Sequence, residues 1–216
     1  MTRLLFKIRP LTAFGSRLTG AMLFGQIAWR LREDFGEEKL RACLEGYCEG
    51  KPFAVVSDAL PEGFVPLPAM PLAWWTNADA ASRRKYVKSK KWLPTDALES
   101  PLTEWENAAR SDAELPESCR KASSLRFRNS ISRATGTTGT GNAFAPYNVF
   151  ALNYSDDAVL DVYSDLDESR LSRNDFRHCL EAIGLFGYGR DASTGLESTK
   201  CFRWKRFLPS ALALTG

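Results

Sequence analysis

Apolar residues recur along the chain in two rhythms. In "AMLFGQIAWRLREDFG", residues 21–36, Leu23, Ile27 and Leu31 return every fourth position while Phe24 and Ala28 widen the stripe, which predicts an amphipathic helix ending near Gly36. "EEKLRACLEGY" predicts a second, shorter helix with Leu40, Cys43, Leu44 and Tyr47 inward. "SRNDFRHCLEAIG" sets Phe176, Cys179, Leu180 and Ile183 at i, i+3, i+4 and i+7, with Ser172 and Asp175 as a capping-box pair and Gly184 as the expected stop. Alternation is the other rhythm. "RLLFKIRPL" reads as a strand with Leu5 or Phe6 toward a core, and "KPFAVVSDAL" as a buried strand. "SSLRFRNSI", "NAFAPYNVFALN", "AVLDVYSDL" and "KCFRWKRF" continue the strands in the second half.

Strand, helix, strand is the opening of an α+β unit of the ferredoxin-like kind. The second half runs strands, helix, glycine-rich loop, strand. Two ferredoxin-like (RRM-like) units are therefore the simplest architecture: residues 1–76, then a charged insertion over 77–121, then 122–216. Prolines crowd residues 61–71, which argues loop or edge there.

Charge refines this picture by its distribution more than by its sum. The 216 residues carry a net charge of +3, with 44% hydrophobic and 25% charged residues, the make-up of an ordinary globular protein. "SRRKYVKSKKW" gathers Arg83, Arg84, Lys85, Lys88, Lys90 and Lys91; residues 96–117 are mostly acidic; residues 120–133 are basic again with Lys121, Arg126 and Arg128. Such segregation suits one anionic partner and one different partner, or else solvated helix faces. Cys43, Cys48, Cys119, Cys179 and Cys201 form no C-x-x-C pair and read as reduced thiols. Arg3, Lys7 and Arg9 interrupt the apolar N-terminal residues, so neither a signal-peptide core nor a membrane span is expected, and the expected location is cytoplasmic.

Candidate chemistry is one-sided. His178 is the single histidine and lies beside an apolar helix stripe; Asp165, Asp167 and Glu168 suit the turn before a helix, where acids favour the N-terminal dipole. No catalytic residue, metal or cofactor is expected. Binding signals are stronger. "GLFGYGRDASTG", residues 184–195, fits a loose dinucleotide pattern through Gly187, Gly189 and Ala192, but it follows a helix and not a strand. It reads either as a phosphate-gripping loop with Arg190 and Ser193, or as a helix cap and tight turn. "LRFRNSISRATGTTGTGNAF" alternates Arg126, Arg128, Ser130 and Ser132 against Leu125, Phe127 and Ile131, before Arg133 and a Thr/Gly-rich turn. One face of guanidiniums and hydroxyls can grip phosphates and sugars; a half-exposed strand with a plain hairpin is the alternative.

Four stretches in order, "PLTAFGSRLTGAMLFGQIAWRLREDFGEE", "FAVVSDALP", "NSISRATGTTGTGNAFAPY" and "GLFGYGRDASTG", resemble the RAMP superfamily of CRISPR proteins. They are most similar to the type III (Csm-class) effector subunit that caps the 5′ end of the guide RNA. The resemblance implies two ferredoxin-like units and a subunit that is not a nuclease. It implies three partners: the repeat-derived 5′ handle of the guide RNA (crRNA), the large effector subunit and the backbone RAMP subunits. Carried over by residue, Gly15, Ser16 and Arg17 stand in the family's first loop, Asn129, Arg133 and Thr135 in its central motif, and Gly187, Gly189, Arg190 and Ser193 in its glycine loop. "YVKSKKWLP" resembles the basic stretch of the family's insertion, so Lys88, Lys90 and Lys91 are expected on phosphates. Relatives continue well beyond the glycine loop, whereas about twenty residues follow Gly195 here. The second unit is thus expected to be a compact variant, as in the related type IV effectors, or to be completed by a neighbour. Two other readings stay open: a guide-processing RNA endonuclease of the same superfamily, and a protein-protein adaptor without RNA contact.

Overall fold

Strand β1 (Thr2–Pro10) turns Leu4, Phe6 and Ile8 into the core, and Leu5 on the opposite face is buried as well. A strand apolar on both faces belongs in the middle of a sheet. The computed structural model, which describes residues 1–69, 71, 81–133, 135–138, 146–188 and 199–206, places it there. The 5-stranded sheet runs β2 (Ala54–Val56), β8 (Leu160–Leu166), β1, β9 (Thr199–Arg206), with β3 (Leu60–Pro61) also on β8. All its pairings are antiparallel, from Thr2↔Leu166 to Ile8↔Leu160 on one side of β1 and from Leu4↔Arg206 to Pro10↔Thr199 on the other.

Helices α1 (Gly20–Phe35), α2 (Glu37–Leu44) and α5 (Arg173–Phe186) cover one face. Leu23, Ile27 and Leu31 from α1 and Phe176, Cys179, Leu180 and Ile183 from α5 join Leu4, Phe6, Ile8, Val162 and Leu166 in one cluster. The stripes read from the sequence are the buried ones. Ser172 caps α5 by accepting from the Asp175 N–H at 3.1 Å.

The order β1-α1-β2-β8-α5-β9, with β8 between β2 and β1, is a single ferredoxin-like unit. Strands expected to found a second unit, residues 160–166 and 199–206, instead pair with β1. The division at residues 76 and 122 therefore does not match the described sheet. Periodicity marks a strand's buried face but not its neighbour, and β1 needed partners on both edges.

Between β3 and β8 the chain leaves the sheet for longer than the charge pattern suggested. β4 (Phe64–Pro66) pairs with β5 (Trp92–Pro94), and α3 (Ala81–Ser89) and α4 (Trp105–Ala108) lie before and after β5 in the chain. β6 (Lys121–Arg128) and β7 (Tyr147–Tyr154) then form a separate two-stranded hairpin. Lys7 anchors this insertion to the sheet: its ammonium donates to Glu62 at 2.6 Å and to Asp161 at 2.9 Å, while Asp161 also accepts from the Gly63 N–H. Burial pulls the Lys7 pKa down, yet the two carboxylates outweigh it and leave it raised.

Helix α5 overruns Gly184 and stops at Gly187, whose φ of 92° and N–H bond to Ile183 O end it. Gly184 has another task. A Cβ there would stand 2.3 Å from Thr199 O, so β9 can lie against α5 only over a bare backbone. Gly184→Ala is expected to lower stability by about 1–3 kcal/mol through overpacking. Gly25→Ala, in open space on α1, should raise it by about 1 kcal/mol through helix propensity. Thermal melting of the two variants checks the opposite signs; a Gly184→Ala protein as stable as wild type would contradict the packing argument.

Candidate nucleic-acid interface

The loop between β1 and α1 is held from two sides. Phe14 exchanges both backbone hydrogen bonds with Leu152 of β7, at 2.9 and 2.7 Å, so the loop joins the hairpin root as a short ladder. Tyr188, the residue after Gly187, is fully buried; its hydroxyl accepts from the Thr19 N–H at 3.1 Å and donates to Arg17 O at 3.0 Å. A buried phenol needs such partners. Gly15, Ser16 and Arg17, the hairpin and the start of the glycine loop are thereby brought to one place.

Arg17 is exposed there, close enough to Lys121 and Tyr154 to act on their protonation. Burial lowers the Lys121 pKa, Arg17 and Lys91 lower it further, and Asp112 opposes them. Burial raises the Tyr154 pKa. Like charges collected this way raise the local positive potential, which attracts anions.

Along the hairpin, cross-strand register puts Arg126 opposite Val149 and Arg128 opposite Tyr147 on one face, and Leu125 opposite Phe150 and Phe127 opposite Asn148 on the other. The expected alternation is present, but the apolar face does not meet the core: Phe127 is 82% exposed. Asn129, Arg133 and Thr135 are exposed past the end of β6, where Gly136 at φ 67° closes a turn onto Ser132. Gly187 serves the helix cap described above. Gly189, Arg190 and Ser193 lie outside the described residues.

The lysines of the basic stretch separate into different roles. Lys88 is exposed in the last turn of α3. Lys90 is not placed for phosphate: its side chain is 2% exposed, binds both oxygens of Glu114 at 2.9 and 2.8 Å, and sits 4.2 Å from the Tyr86 ring centroid. Lys91 is exposed but paired with Asp112. Sequence reasoning grouped these lysines by spacing, whereas the acidic stretch that follows folds back to neutralise two of them.

The carboxylates and the histidine singled out in the sequence have partners. Asp165 accepts from Arg3, Glu168 from Arg173, and Asp167 from Ser169. His178 lies 3.4 Å from Asp34 and edge-on to Phe35. Burial raises the Cys43, Cys119 and Cys179 thiols, the last to about 12, which removes thiolate character. Among the described residues no three His, Cys, Asp or Glu side chains are grouped to hold a metal ion. None of the described helices is long and apolar enough to cross a membrane.

No family model and no curated protein matches the sequence. Solved structures do. The chain is similar to a chain of a Csm1–Csm4 cassette crystallised with AMPPNP, at 15% identity and a TM-score of 0.57, covering 98% of this chain and 73% of that one. A chain of a Csm3–Csm4 subcomplex of the type III-A CRISPR-Cas interference complex is similar at 12% identity and a TM-score of 0.55, covering 96% and 70%. At such identity the likeness is one of fold. Residues that the sequence reading left out of the site are Tyr188, Trp92, Tyr154 and Lys121; Tyr188 stands within the glycine-rich stretch, Trp92 at the end of the basic stretch and Lys121 in the second basic block, whereas Tyr154 had no signal beyond its strand.

Lys90→Ala is expected to cost about 2 kcal/mol of stability, the scale of a hydrogen bond to a charged group, whereas Lys88→Ala should stay within about 0.5 kcal/mol. Glu114 is held down to about 2, chiefly by Lys90 and then by Ser111. A lowered carboxylate stabilises the fold above its unfolded value near 4.5 and loses that contribution as pH falls through about 2. The melting difference between wild type and Glu114→Gln should therefore be full at neutral pH and vanish toward pH 2. A pH-independent difference would assign the loss to packing.

Proposed function

We propose that the protein is a RAMP-superfamily subunit of a type III or related CRISPR effector complex. In this reading it binds the 5′ handle of the guide RNA without cutting it and bridges the large subunit to the backbone subunits. The observation that carries this is the junction of the first loop, the hairpin root and the start of the glycine loop, which Tyr188 and Phe14 hold together. The first loop bears Gly15, Ser16 and Arg17 and the start of the glycine loop bears Gly187, which the resemblance assigns to RNA; its central-motif residues Asn129, Arg133 and Thr135 lie at the other end of the same hairpin. Arg17, Lys121 and Arg126 supply charge, and the exposed rings of Phe127, Tyr147 and Phe150 supply stacking surface on the same hairpin. Single-stranded RNA is gripped through that combination of cations and aromatic faces. The similarity of fold to chains in Csm1–Csm4 and Csm3–Csm4 assemblies supports the same reading, including its two protein partners.

The absence of catalysis belongs to the proposal. An RNA endonuclease of the metal-independent kind needs an acid and a base within reach of the scissile phosphate. His178, the single histidine, stands beside Asp34 and Phe35 of α1, and no second acid or base is grouped with it among the lining of the hairpin root.

Fluorescence anisotropy with a labelled guide RNA carrying its 5′ repeat segment tests the reading across a salt series. Wild type should bind with a steep salt dependence. The Arg17→Ala/Arg126→Ala double variant should bind more weakly, with a slope shallower by about 1.4, since each single-strand phosphate contact contributes about 0.7. No binding at low salt would favour the adaptor reading. RNA cleavage by wild type that His178→Ala abolishes would favour the endonuclease.

A further inference from the structure

A cavity of about 320 Å³ opens at the hairpin root, lined among others by Trp92, Asp112, Leu115, Lys121, Tyr154 and Leu160. Its walls come from parts of the chain that are far apart in sequence: β5, the turn after Arg110, the first residue of β6 and the last of β7. Leu115 and Leu160 are buried and make an apolar floor, while Trp92 and Tyr154 are half-buried rings.

Both rings are fixed from behind. The Trp92 indole N–H donates to Asp112 Oδ1 at 2.7 Å, and the other oxygen of that carboxylate takes Lys91. Tyr154 meets the buried Phe14 ring edge-on, with centroids 5.9 Å apart and an interplanar angle of 88°. The same Phe14 carries the backbone ladder to Leu152, so the loop that bears Arg17 also sets one wall of the cavity.

The charge at the mouth is unbalanced. Arg120 and Lys121 line the cavity and Arg17 acts on Lys121, while the one carboxylate of the lining, Asp112, is already engaged by Lys91 and Trp92. Among the described residues no carboxylate lies within ion-pair distance of Arg17 or Lys121. A small cavity with two aromatic walls and a cationic mouth matches a planar, neutral ring joined to an anion. An apolar side chain would leave the cations unused, and an acidic peptide would leave the rings unused.

We propose that this cavity takes one unstacked nucleobase of the bound RNA, its ring against Trp92 and Tyr154 and its adjoining phosphate on Lys121 and Arg17. The inference rests on the RNA reading above and deepens it: one nucleotide of the handle is drawn out of the strand and held by the fold's own core. The cavity volume is at the small end of the roughly 300–1,000 Å³ typical of ligand sites, which suits a single base and not two stacked ones.

Guide RNAs with one abasic nucleotide, moved stepwise through the 5′ repeat segment, test it against wild type, Ala113→Phe and Lys121→Gln. Ala113 lines the cavity from an exposed turn, so a phenyl ring there fills the space from outside the core. Wild type should lose about tenfold in affinity at one abasic position and little elsewhere, the scale of one base stacked on aromatic side chains. Ala113→Phe should bind intact RNA about tenfold more weakly and be indifferent to that same abasic position. Lys121→Gln should reduce the salt slope by about 0.7. Thermal melting confirms that each variant is folded. Tight binding by wild type with no sensitive position, or intact affinity in Ala113→Phe, overturns the cavity while leaving the RNA reading in place. Failure of wild type to bind any of the RNAs overturns the RNA reading, and the cavity with it.

Discussion

The structure depends on β1 having a partner on each edge. Buried backbone N–H and C=O groups must be paired, and a strand with Leu4, Phe6 and Ile8 on one face and Leu5 on the other has no solvent to turn to. β8 and β9 answer that need from the far end of the chain. The long stretch between β3 and β8 is therefore an excursion out of a finished sheet. Lys7, tied to both Asp161 and Glu62, fastens that excursion where it begins.

Closing the sheet this way has a functional result. α5 must end close to the start of α1, and the residue that follows its glycine cap, Tyr188, falls under the β1–α1 loop. The Thr19 N–H and the Arg17 carbonyl bond each other at 3.0 Å, and the one phenol adds a bond to each of them. A net hydrogen bond contributes about 0.5–1.5 kcal/mol, so a core residue adds to what the loop's own bond does in fixing its position. The hairpin root is fixed to the same loop through Phe14 and Leu152. Arg17, Lys121 and Tyr154 come together because three backbone segments do.

The charged insertion illustrates how magnitude separates similar residues. Lys88, Lys90 and Lys91 are close neighbours in sequence, yet burial and pairing give them different work. An ammonium at 2% exposure with two carboxylate contacts contributes to folding, and withdrawing it to meet a phosphate would leave Glu114 and the Tyr86 face without their partner. Lys91 and Asp112 form an exposed pair of the kind worth about 0–1 kcal/mol in itself. Its larger effect is indirect: it occupies Asp112, and among the described residues neither Lys121 nor Arg17 has a carboxylate within ion-pair distance.

Much of this protein was legible along the chain. The stripes Leu23-Ile27-Leu31 and Phe176-Cys179-Leu180-Ile183 are the buried faces of α1 and α5, Ser172 caps α5, and Arg126 and Arg128 share one face of β6. These are local properties, fixed by the period of the backbone and by hydrogen bonds within a few residues. Pairing is not local. That residues 160–166 and 199–206 flank β1, making one ferredoxin-like sheet where two units were expected, is settled by which edges need partners once all strands are present. Nor could spacing tell that Gly184 admits Thr199 while Gly187 ends the helix, since both are glycines near a helix end and differ only in what lies across from them. The same holds for the candidate site: Trp92 and Tyr188 stand within quoted stretches whose spacing gives the rings no task, Tyr154 stands in none, and all three acquire a role because the core brings β5, β7 and the end of α5 to the foot of one hairpin.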